Sequence, residues 1–288
     1  MRKSTRLRHQ VTLWGTVALM AGGCAATHPV VPRAKPAEAA SISPQREVKA
    51  DDGTLWVIFI DDLHLNFRDT GRLRDLFATI STALIHEGDS FAIVSTGPSS
   101  LAIDATMDPK RLDEAKGRMS GAGLRPSEIL AESPETALSE VRYRAHVAFA
   151  TAYGVMKMLE QVEKHRKAFI YISNGYNLDV WRTDSPPPVG ENPFSVRGNT
   201  FGVEQIRDQV AELTRQAKRA KAAIFGIDPR ALSGPAPGDP NVDPAAWQRF
   251  WTTTRNSLQV LSEQSAGFVV QDDLAEGLAR ILRAVRHE

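Results

Sequence analysis

Leu55-Trp56-Val57-Ile58-Phe59-Ile60-Asp61-Asp62 is the most informative segment of this chain for predicting its fold. Its six apolar residues follow one another without a polar break, and most of them are β-branched or aromatic. Such a run is typical of a strand that is buried on both faces, as in a parallel sheet covered by helices. The two carboxylates then lie at the carboxyl end of the strand, where open α/β sheets place their ligand crevice.

The sequence after this stretch alternates between strand and helix patterns. Apolar runs predict five further strands, near residues 91–96, 101–107, 168–172, 222–227 and 267–270. Apolar residues at helical spacing predict helices near residues 69–88, 108–119, 139–164, 201–220, 247–261 and 274–285, and the loop signals predict a loop over 121–134. We therefore expect an α/β fold with a doubly wound, mostly parallel sheet, helices on both faces and one antiparallel edge hairpin. One domain from 54 to 288 accommodates all of these elements.

The composition is that of an ordinary globular protein. Of the 288 residues, 42% are hydrophobic and 24% are charged, which is enough apolar material for a sizeable core. The formal net charge is only +1, which gives no support to a general nucleic-acid-binding surface. We therefore expect no nucleic-acid partner.

The first residues have the pattern of a bacterial export signal. A basic start is followed by an apolar segment over 11–21, which is too short to span a bilayer. Leu19-Met20-Ala21-Gly22-Gly23-Cys24 resembles a lipobox, which implies cleavage after residue 23 and acylation of Cys24. Cys24 is the only cysteine, so no internal disulfide can form. An ordinary signal peptide or an uncleaved anchor is the alternative.

The predicted organisation is a lipoprotein signal peptide over 1–23, a lipidated Cys24 with a disordered tether over 24–53, and the globular domain. The tether is rich in Pro, Ala and Ser and has no apolar periodicity. Because acyl chains on Cys24 would bury many CH₂ groups, they would anchor the protein stably. This predicts a lipid-anchored protein of the bacterial cell envelope, on the outer membrane or on the periplasmic face of the inner membrane.

Four stretches resemble the von Willebrand factor A domain, in particular the related domains of exported acidobacterial proteins. They are Trp56–Asp62, Gly88–Thr96, Arg166–Gly175 and Gly267–Leu274. The resemblance implies a Rossmann-like fold with a metal-ion-dependent adhesion site. That site has Asp-x-Ser-x-Ser after the first strand, a Thr on a later loop and an Asp after the fourth strand.

The present sequence departs from that metal-site pattern. Asp61 matches the first position, but Leu63 and Leu65 occupy the two serine positions. Asn174 stands where the later Asp is usual, and Thr136 lies in a loop that could supply the Thr. Since Mg²⁺ requires oxygen ligands, the resemblance implies a degenerate site with at most weak Mg²⁺ binding at Asp61, Asp62 and Asn174, and no other cofactor. Alternatively, the two aspartates cap the end of the strand by accepting hydrogen bonds from backbone N–H groups of the following loop.

These observations favour a non-enzymatic, membrane-anchored protein that binds another envelope or extracellular protein. The predicted contact surface is the rim at the carboxyl ends of the strands, formed by 61–68, 173–181, 181–200 and 228–246. The contact residues we expect there are His64, Asn66, Arg68, Tyr176 and Trp181.

An enzyme is the alternative function. It would be a divalent-metal-dependent hydrolase or phosphotransfer enzyme that uses Asp61, Asp62 and His64. No Gly-x-Ser-x-Gly, Gly-x-Gly-x-x-Gly or P-loop motif is present to support other chemistry. Trp247, Phe250 and Trp251 lie at helical spacing, which favours a place in the core over a partner-binding stripe.

Overall fold

A computed structural model describes residues 53–130, 134–163, 165–177, 203–230, 242–270 and 273–286, without the side chains of 134–139 and 203–205. The predicted leader with Cys24, the tether, the Thr136 side chain and Trp181 lie outside this description. So do the predicted rim segments over 178–200 and 231–241. Among the described residues, no helix is both long enough and apolar enough to cross a bilayer.

The strands form one sheet of six with the order β3-β2-β1-β4-β5-β6. They are β1 (Thr54–Ile60), β2 (Ser90–Ser95), β3 (Ala102–Thr106), β4 (Arg166–Ile172), β5 (Ala222–Ile227) and β6 (Val269–Val270). Only the β2–β3 pair is antiparallel, and every other pair is parallel. The predicted fold class is confirmed, including the antiparallel edge hairpin.

Seven α-helices and one 3₁₀ turn, Phe67–Asp69, connect the described strands. The helices are α1 (Thr70–Leu84), α2 (Lys110–Arg118), α3 (Pro126–Ile129), α4 (Pro134–Glu160), α5 (Val203–Ala220), α6 (Pro244–Glu263) and α7 (Leu274–Arg286). The prediction of an uninterrupted loop over 121–134 was wrong, because it contains α3. The Glu128 carboxylate accepts a hydrogen bond of 2.7 Å from the Arg125 N–H and so closes this short helix at its start.

Helix α6 also begins earlier than its apolar periodicity indicates. The Asp243 carboxylate accepts hydrogen bonds from the N–H groups of Ala245 and Ala246, at 3.0 and 3.2 Å, and Pro244 occupies the first helical position. This is an N-cap followed by a proline whose missing N–H would have had no helical partner. The cap therefore starts the helix before its first aromatic residue.

The central strand β1 is buried on both faces, as its unbroken apolar run predicts. Leu55, Val57 and Phe59 pack into one hydrophobic core with residues of α4, α5 and α6. Trp56, Ile58 and Ile60 point to the other face and pack with residues of α1, α2 and α7. The two cores make the sheet doubly wound and hold the carboxyl end of β1 rigidly between helices.

A buried carboxylate ties together the amino end of the sheet. Asp89, which directly precedes β2, is 5% exposed. It accepts hydrogen bonds from Thr54 N at 2.9 Å, Trp56 Nε1 at 3.1 Å and His86 N at 2.9 Å. Arg286 at the end of α7 adds a charged partner at 3.1 Å. Asp89 therefore joins β1, β2 and the last helix, and all of its contacts lie within the fold.

Candidate binding site

The order in which the strands are added to the sheet reverses its direction at the β1–β4 pair. From β1 the chain first adds β2 on one side, and later, through α4, it adds β4 on the other side of β1. Such a topological switch point opens a crevice at the carboxyl ends of the strands, where open α/β sheets bind their ligands. Asp61 and Asp62 follow β1 at this place, and Ser173 and Asn174 follow β4.

Asp61 is fully buried and is held by four side chains. Its Oδ2 accepts hydrogen bonds from Ser173 Oγ at 2.7 Å and from the Tyr176 hydroxyl at 2.5 Å. Its Oδ1 lies 3.1 Å from Thr96 Oγ1 and 2.9 Å from His64 Nδ1. Burial alone would raise the pKa of Asp61, but the His64 ring and these hydrogen bonds outweigh it and hold the pKa below its usual range. Asp61 is therefore a charged anchor inside the fold.

Asp62 is equally buried but has fewer donors. Its Oδ2 accepts a hydrogen bond of 2.8 Å from Ser99 N, and its Oδ1 lies 3.0 Å from Thr96 Oγ1. Because Thr96 has a single hydroxyl hydrogen, it can donate fully to only one of the two aspartates. Burial raises the pKa of Asp62, against the lowering effect of its hydrogen bonds. The two neighbouring carboxylates thus have opposite electrostatic environments.

The donor set around these aspartates does not fit a Mg²⁺ shell. All four carboxylate oxygens of Asp61 and Asp62 already contact hydrogen-bonding groups of the protein. Leu63 and Leu65 are buried and offer no oxygen from their side chains. Among the described residues, no group of three or more His, Cys, Asp or Glu side chains could hold a metal ion. The alternative interpretation, in which backbone N–H groups of the loop after β1 bind the aspartates, was also wrong in its donors. Side chains supply all the described donors to Asp61, and the one described backbone donor to Asp62 is Ser99 N in the loop after β2.

His64 extends the Asp61 cluster towards the protein surface. Its Nδ1 faces Asp61, and its ring packs edge-on against Tyr176 with the centroids 4.7 Å apart. Its Nε2 is buried and has no hydrogen-bond partner among the described residues. Since ionised Asp61 can only accept, Nδ1 carries the hydrogen of that bond, and Nε2 is left to form a hydrogen bond with another group.

The turn after β4 packs tightly against α6. Gly175 has a φ of +74°, and a Cβ at this position would lie 2.1 Å from the carbonyl oxygen of Thr254. The following residue, Tyr176, donates its N–H to Ser257 Oγ at 2.7 Å. Glycine is therefore required both by the backbone conformation and by the close approach of α6. This contact places Asn174 next to the aromatic residues of α6.

A cavity of about 340 Å³ lies beside His64 and this turn. Tyr176, Trp247, Phe250 and Trp251 form its aromatic wall, and Leu63, Leu124, Ile129 and Val141 are among its aliphatic residues. Trp247 and Phe250 stack at 5.1 Å with an interplanar angle of 11°, and Trp251 packs against Trp247 at 6.3 Å. These three residues of α6 are half-buried and belong to neither core. The prediction that they lie in the core was wrong, because α6 turns its first half towards the cavity.

Two arginines fix the walls of the cavity through ion pairs. Arg230 pairs with Asp228 at 2.8 Å, donates to the Asn174 carbonyl oxygen and lies 5.1 Å from the centre of the Trp251 ring. Arg144 of α4 pairs with Glu140 at 2.7 Å and donates to the Leu63 carbonyl oxygen at 3.1 Å. Both side chains line the cavity. Arg230 joins the segments that follow β4 and β5 to α6, and Arg144 joins α4 to the segment that follows β1.

The remaining lining includes a positive charge with no ion pair among the described residues. Arg68 is exposed at the cavity mouth, whereas the neighbouring Arg72 faces Asp69 at 3.7 Å. The Asn66 side chain caps the turn that carries Arg68 by accepting its N–H at 2.9 Å. Phe67, between these two residues, has 68% of its surface exposed.

The structure brings most of the predicted rim residues together. His64, Asn66, Arg68 and Tyr176 all line the cavity, as does Asn174 from the predicted metal set. Tyr176 is only 3% exposed, so it serves as a wall and as a donor to Asp61. Sequence reasoning missed the contribution of Arg144, Arg230 and the α6 aromatic residues. The Asp-Pro start of α6 at Asp243 was the available signal that this helix begins early enough to face the rim.

The chain matches no protein-family model and no curated protein. Its resemblance to A domains therefore stays a prediction from the sequence, whereas the α/β fold and the geometry of the cavity are properties of the structure.

Proposed function

We propose that this chain is a lipid-anchored protein of the bacterial cell envelope that binds another protein at the carboxyl-end cavity and its rim. One observation carries the proposal. Three side chains that line the cavity each have a buried polar atom without a hydrogen-bond partner among the described residues: His64 Nε2, Asn174 Oδ1 and Trp251 Nε1. An unsatisfied buried polar group costs about 1–3 kcal/mol, so three in one cavity are more readily explained by ligand binding than by the fold.

The composition of the cavity supports a protein partner. Trp, Tyr and Arg are the residues that most often dominate the binding energy of protein interfaces, and here they surround one concave site. Exposed Phe67 lies directly beside this site and extends the apolar surface outwards. A partner that covers the rim would bury Phe67 and at the same time reach into the cavity.

Site-specific photo-crosslinking tests the proposed surface. A photoreactive residue at position 67 of the full-length chain, expressed in its own cell envelope, is expected to yield one defined protein adduct. The matched control is position 107, because Met107 is also exposed, at 54%, but follows β3, whose last residue pairs with the start of β2 at the amino end of the sheet. Trp247→Ala, which opens the aromatic wall, is expected to abolish the adduct at 67. No adduct at 67, or equal adducts at 67 and 107, would overturn the proposal.

The proposed anchor is tested separately. Full-length chain labelled with a palmitate analogue is expected to carry the label and to sediment with membranes, and Cys24→Ser is expected to lose both properties. The support is the sequence around Cys24, which resembles a lipobox. A Cys24→Ser variant that stays labelled would remove the anchor from the proposal and leave the binding surface to stand on its own test.

Metal-dependent hydrolysis or phosphotransfer finds less support. The carboxylate oxygens of Asp61 and Asp62 face protein donors, so the alternative lacks its metal shell. Among the described residues, no hydroxyl or thiol is hydrogen-bonded to His64 Nε2 as an activated nucleophile would be. Calorimetric titration with Mg²⁺ and Mn²⁺ is expected to show no binding at millimolar metal.

A further inference from the structure

Two side chains that line the cavity, Trp251 and Asn174, each have a buried polar atom without a partner among the described residues. The two atoms differ in hydrogen-bonding character, and this difference restricts the ligand. Trp251 Nε1 can only donate a hydrogen bond, and Asn174 Oδ1 can only accept one. A ligand that satisfies both must therefore carry an acceptor and an N–H or O–H donor within the span of one small cavity. Simple hydrocarbons and aliphatic lipid chains do not meet this requirement.

The charge at the cavity favours an anionic acceptor. Four arginines and one aspartate line the cavity, and Arg68 has no ion-pair partner among the described residues. An anion at the mouth would gain a charge-assisted hydrogen bond from Arg68 without breaking an existing ion pair. A carboxylate therefore fits better than a neutral amide or a hydroxyl group.

The size and the walls define the rest of the ligand. The cavity volume of about 340 Å³ lies at the small end of ligand pockets, which usually range over roughly 300–1,000 Å³. Its aromatic wall suits one large apolar side chain. The ligand thus combines an apolar side chain, an N–H donor and a carboxylate, and these three groups occur together on the last residue of a polypeptide.

We propose that the cavity captures the C-terminal residue of the partner protein, with an apolar or aromatic side chain against Trp247, Phe250 and Trp251. The free carboxylate faces Arg68 and the Trp251 Nε1–H, and the backbone N–H of the same residue donates to Asn174 Oδ1. This inference rests on the proposed function and specifies which part of the partner enters the site. Capture of a chain terminus by fixed donors is a known recognition mode, and here side chains supply the donors.

Calorimetry on the full-length chain tests the ligand class with two small probes, N-acetyl-L-phenylalanine and N-acetyl-L-phenylalaninamide. They differ only in the terminal group, which is an anionic carboxylate with two acceptor oxygens in the acid and a neutral carboxamide with one acceptor oxygen and an NH₂ donor in the amide. The acid is expected to bind at least about tenfold more tightly than the amide, which corresponds to 1.4 kcal/mol. Equal affinities, or no binding of the acid at millimolar concentration, would overturn the carboxylate assignment.

Three variants assign the contacts. Arg68→Gln is expected to reduce the affinity for the acid to near that for the amide, whereas Arg283→Gln, an exposed arginine on α7, is expected to change nothing. Asn174→Ala is expected to weaken both probes, because both carry the N–H. Trp251→Phe is expected to weaken the acid while it preserves most of the ring contact. An acid affinity that is the same in all three variants would place the probe outside this cavity.

A third probe distinguishes a chain terminus from a free small acid. A hexapeptide that ends in phenylalanine with a free carboxylate is expected to bind at least as tightly as the acetylated amino acid, and its C-terminally amidated form is expected to bind more weakly. A hexapeptide that does not bind, beside an acid that does, would overturn the peptide terminus in favour of a small metabolite. If the adduct at position 67 forms but no probe discriminates charge, this inference fails and the proposed function stands.

Discussion

Two buried carboxylate clusters stand at opposite ends of the same sheet and differ in what lies beyond them. At the amino end, Asp89 accepts hydrogen bonds from Thr54, Trp56 and His86 and pairs with Arg286. At the carboxyl end, Asp61 is equally well held, but it contacts His64, a residue of the cavity lining whose buried Nε2 has no hydrogen-bond partner among the described residues.

The two tryptophans near these clusters make the same contrast. Trp56 Nε1 donates to Asp89 at 3.1 Å, whereas Trp251 Nε1 has no partner in the part of the chain that the structure describes. The amino end is therefore a closed network in which each polar group serves stability. The carboxyl end is an open network, in which unsatisfied groups lower stability and are available for binding. We therefore expect substitutions at the amino end to lower stability without affecting binding. Substitutions that disturb the cavity at the carboxyl end are expected to change binding as well.

The largest effect on stability is expected for Asp89→Ala. The change leaves the buried Thr54 N–H and the Trp56 indole N–H without their acceptor and removes the partner of Arg286. We expect the free energy of unfolding to fall by about 3–5 kcal/mol, measured by urea denaturation. Probe binding by the remaining folded protein should be unchanged. Glu87→Ala, an exposed acid in the same loop, is the control and should stay within about 0.5 kcal/mol of the wild type.

Asp61→Asn is expected to lower the free energy of unfolding by about 3 kcal/mol at pH 7, because hydrogen bonds to a charged acceptor are lost. The folded-state pKa of Asp61 is lowered, so its stabilisation is complete above the unfolded pKa and is lost as pH falls through the folded pKa. The deficit of the variant in unfolding free energy should therefore shrink in urea titrations as pH falls from the unfolded pKa through the folded one. A deficit that is constant with pH would show that Asp61 does not act through its charge.

Gly175→Ala should destabilise the protein by about 2 kcal/mol. The left-handed backbone conformation disfavours a side chain, and the new Cβ would meet the Thr254 carbonyl oxygen. Because the turn also positions Asn174, probe affinity should fall as well. Gly71→Ala, within α1, is the matched control. The added Cβ would meet no atom of another part of the protein within 4 Å, so this variant should be neutral or slightly stabilising. Thermal unfolding of both variants measures the difference.

The smallest effect is expected for Asp62→Asn. The amide can still accept from Ser99 N, and its NH₂ can donate to Thr96, which frees the Thr96 hydroxyl for Asp61. The folded-state pKa of Asp62 is raised, so its contribution to stability is lost as pH rises from the unfolded pKa through the folded one. The unfolding free energy of the variant should therefore rise relative to that of the wild type as pH rises above the unfolded pKa, opposite to Asp61→Asn. Equal slopes for the two variants would contradict the opposite environments of the two carboxylates.

The sequence predicts the fold more completely than the site, and particular residues show why. The apolar run of β1 and the strand–helix alternation determine the sheet, because burial on two faces leaves few other arrangements. Asp61, His64 and Asn174 were found because they directly follow strands. The sequence did not reveal the roles of Thr96 and the α6 aromatic residues. Those roles depend on how the loop after β2 and the start of α6 approach β1 in space. Helical periodicity alone cannot distinguish a stripe in a core from one that lines a cavity.

We infer that the carboxyl end of the sheet binds a ligand and that the amino end does not. One NMR spectrum compares the two ends directly. Each indole N–H gives one signal in a ¹H–¹⁵N correlation spectrum of the full-length chain, and Trp251→Phe and Trp56→Phe variants assign the two that matter. On titration with N-acetyl-L-phenylalanine, the Trp251 signal is expected to shift with saturation while the Trp56 signal stays in place. A Trp251 signal that does not move at millimolar probe, or a Trp56 signal that moves with it, would contradict the account.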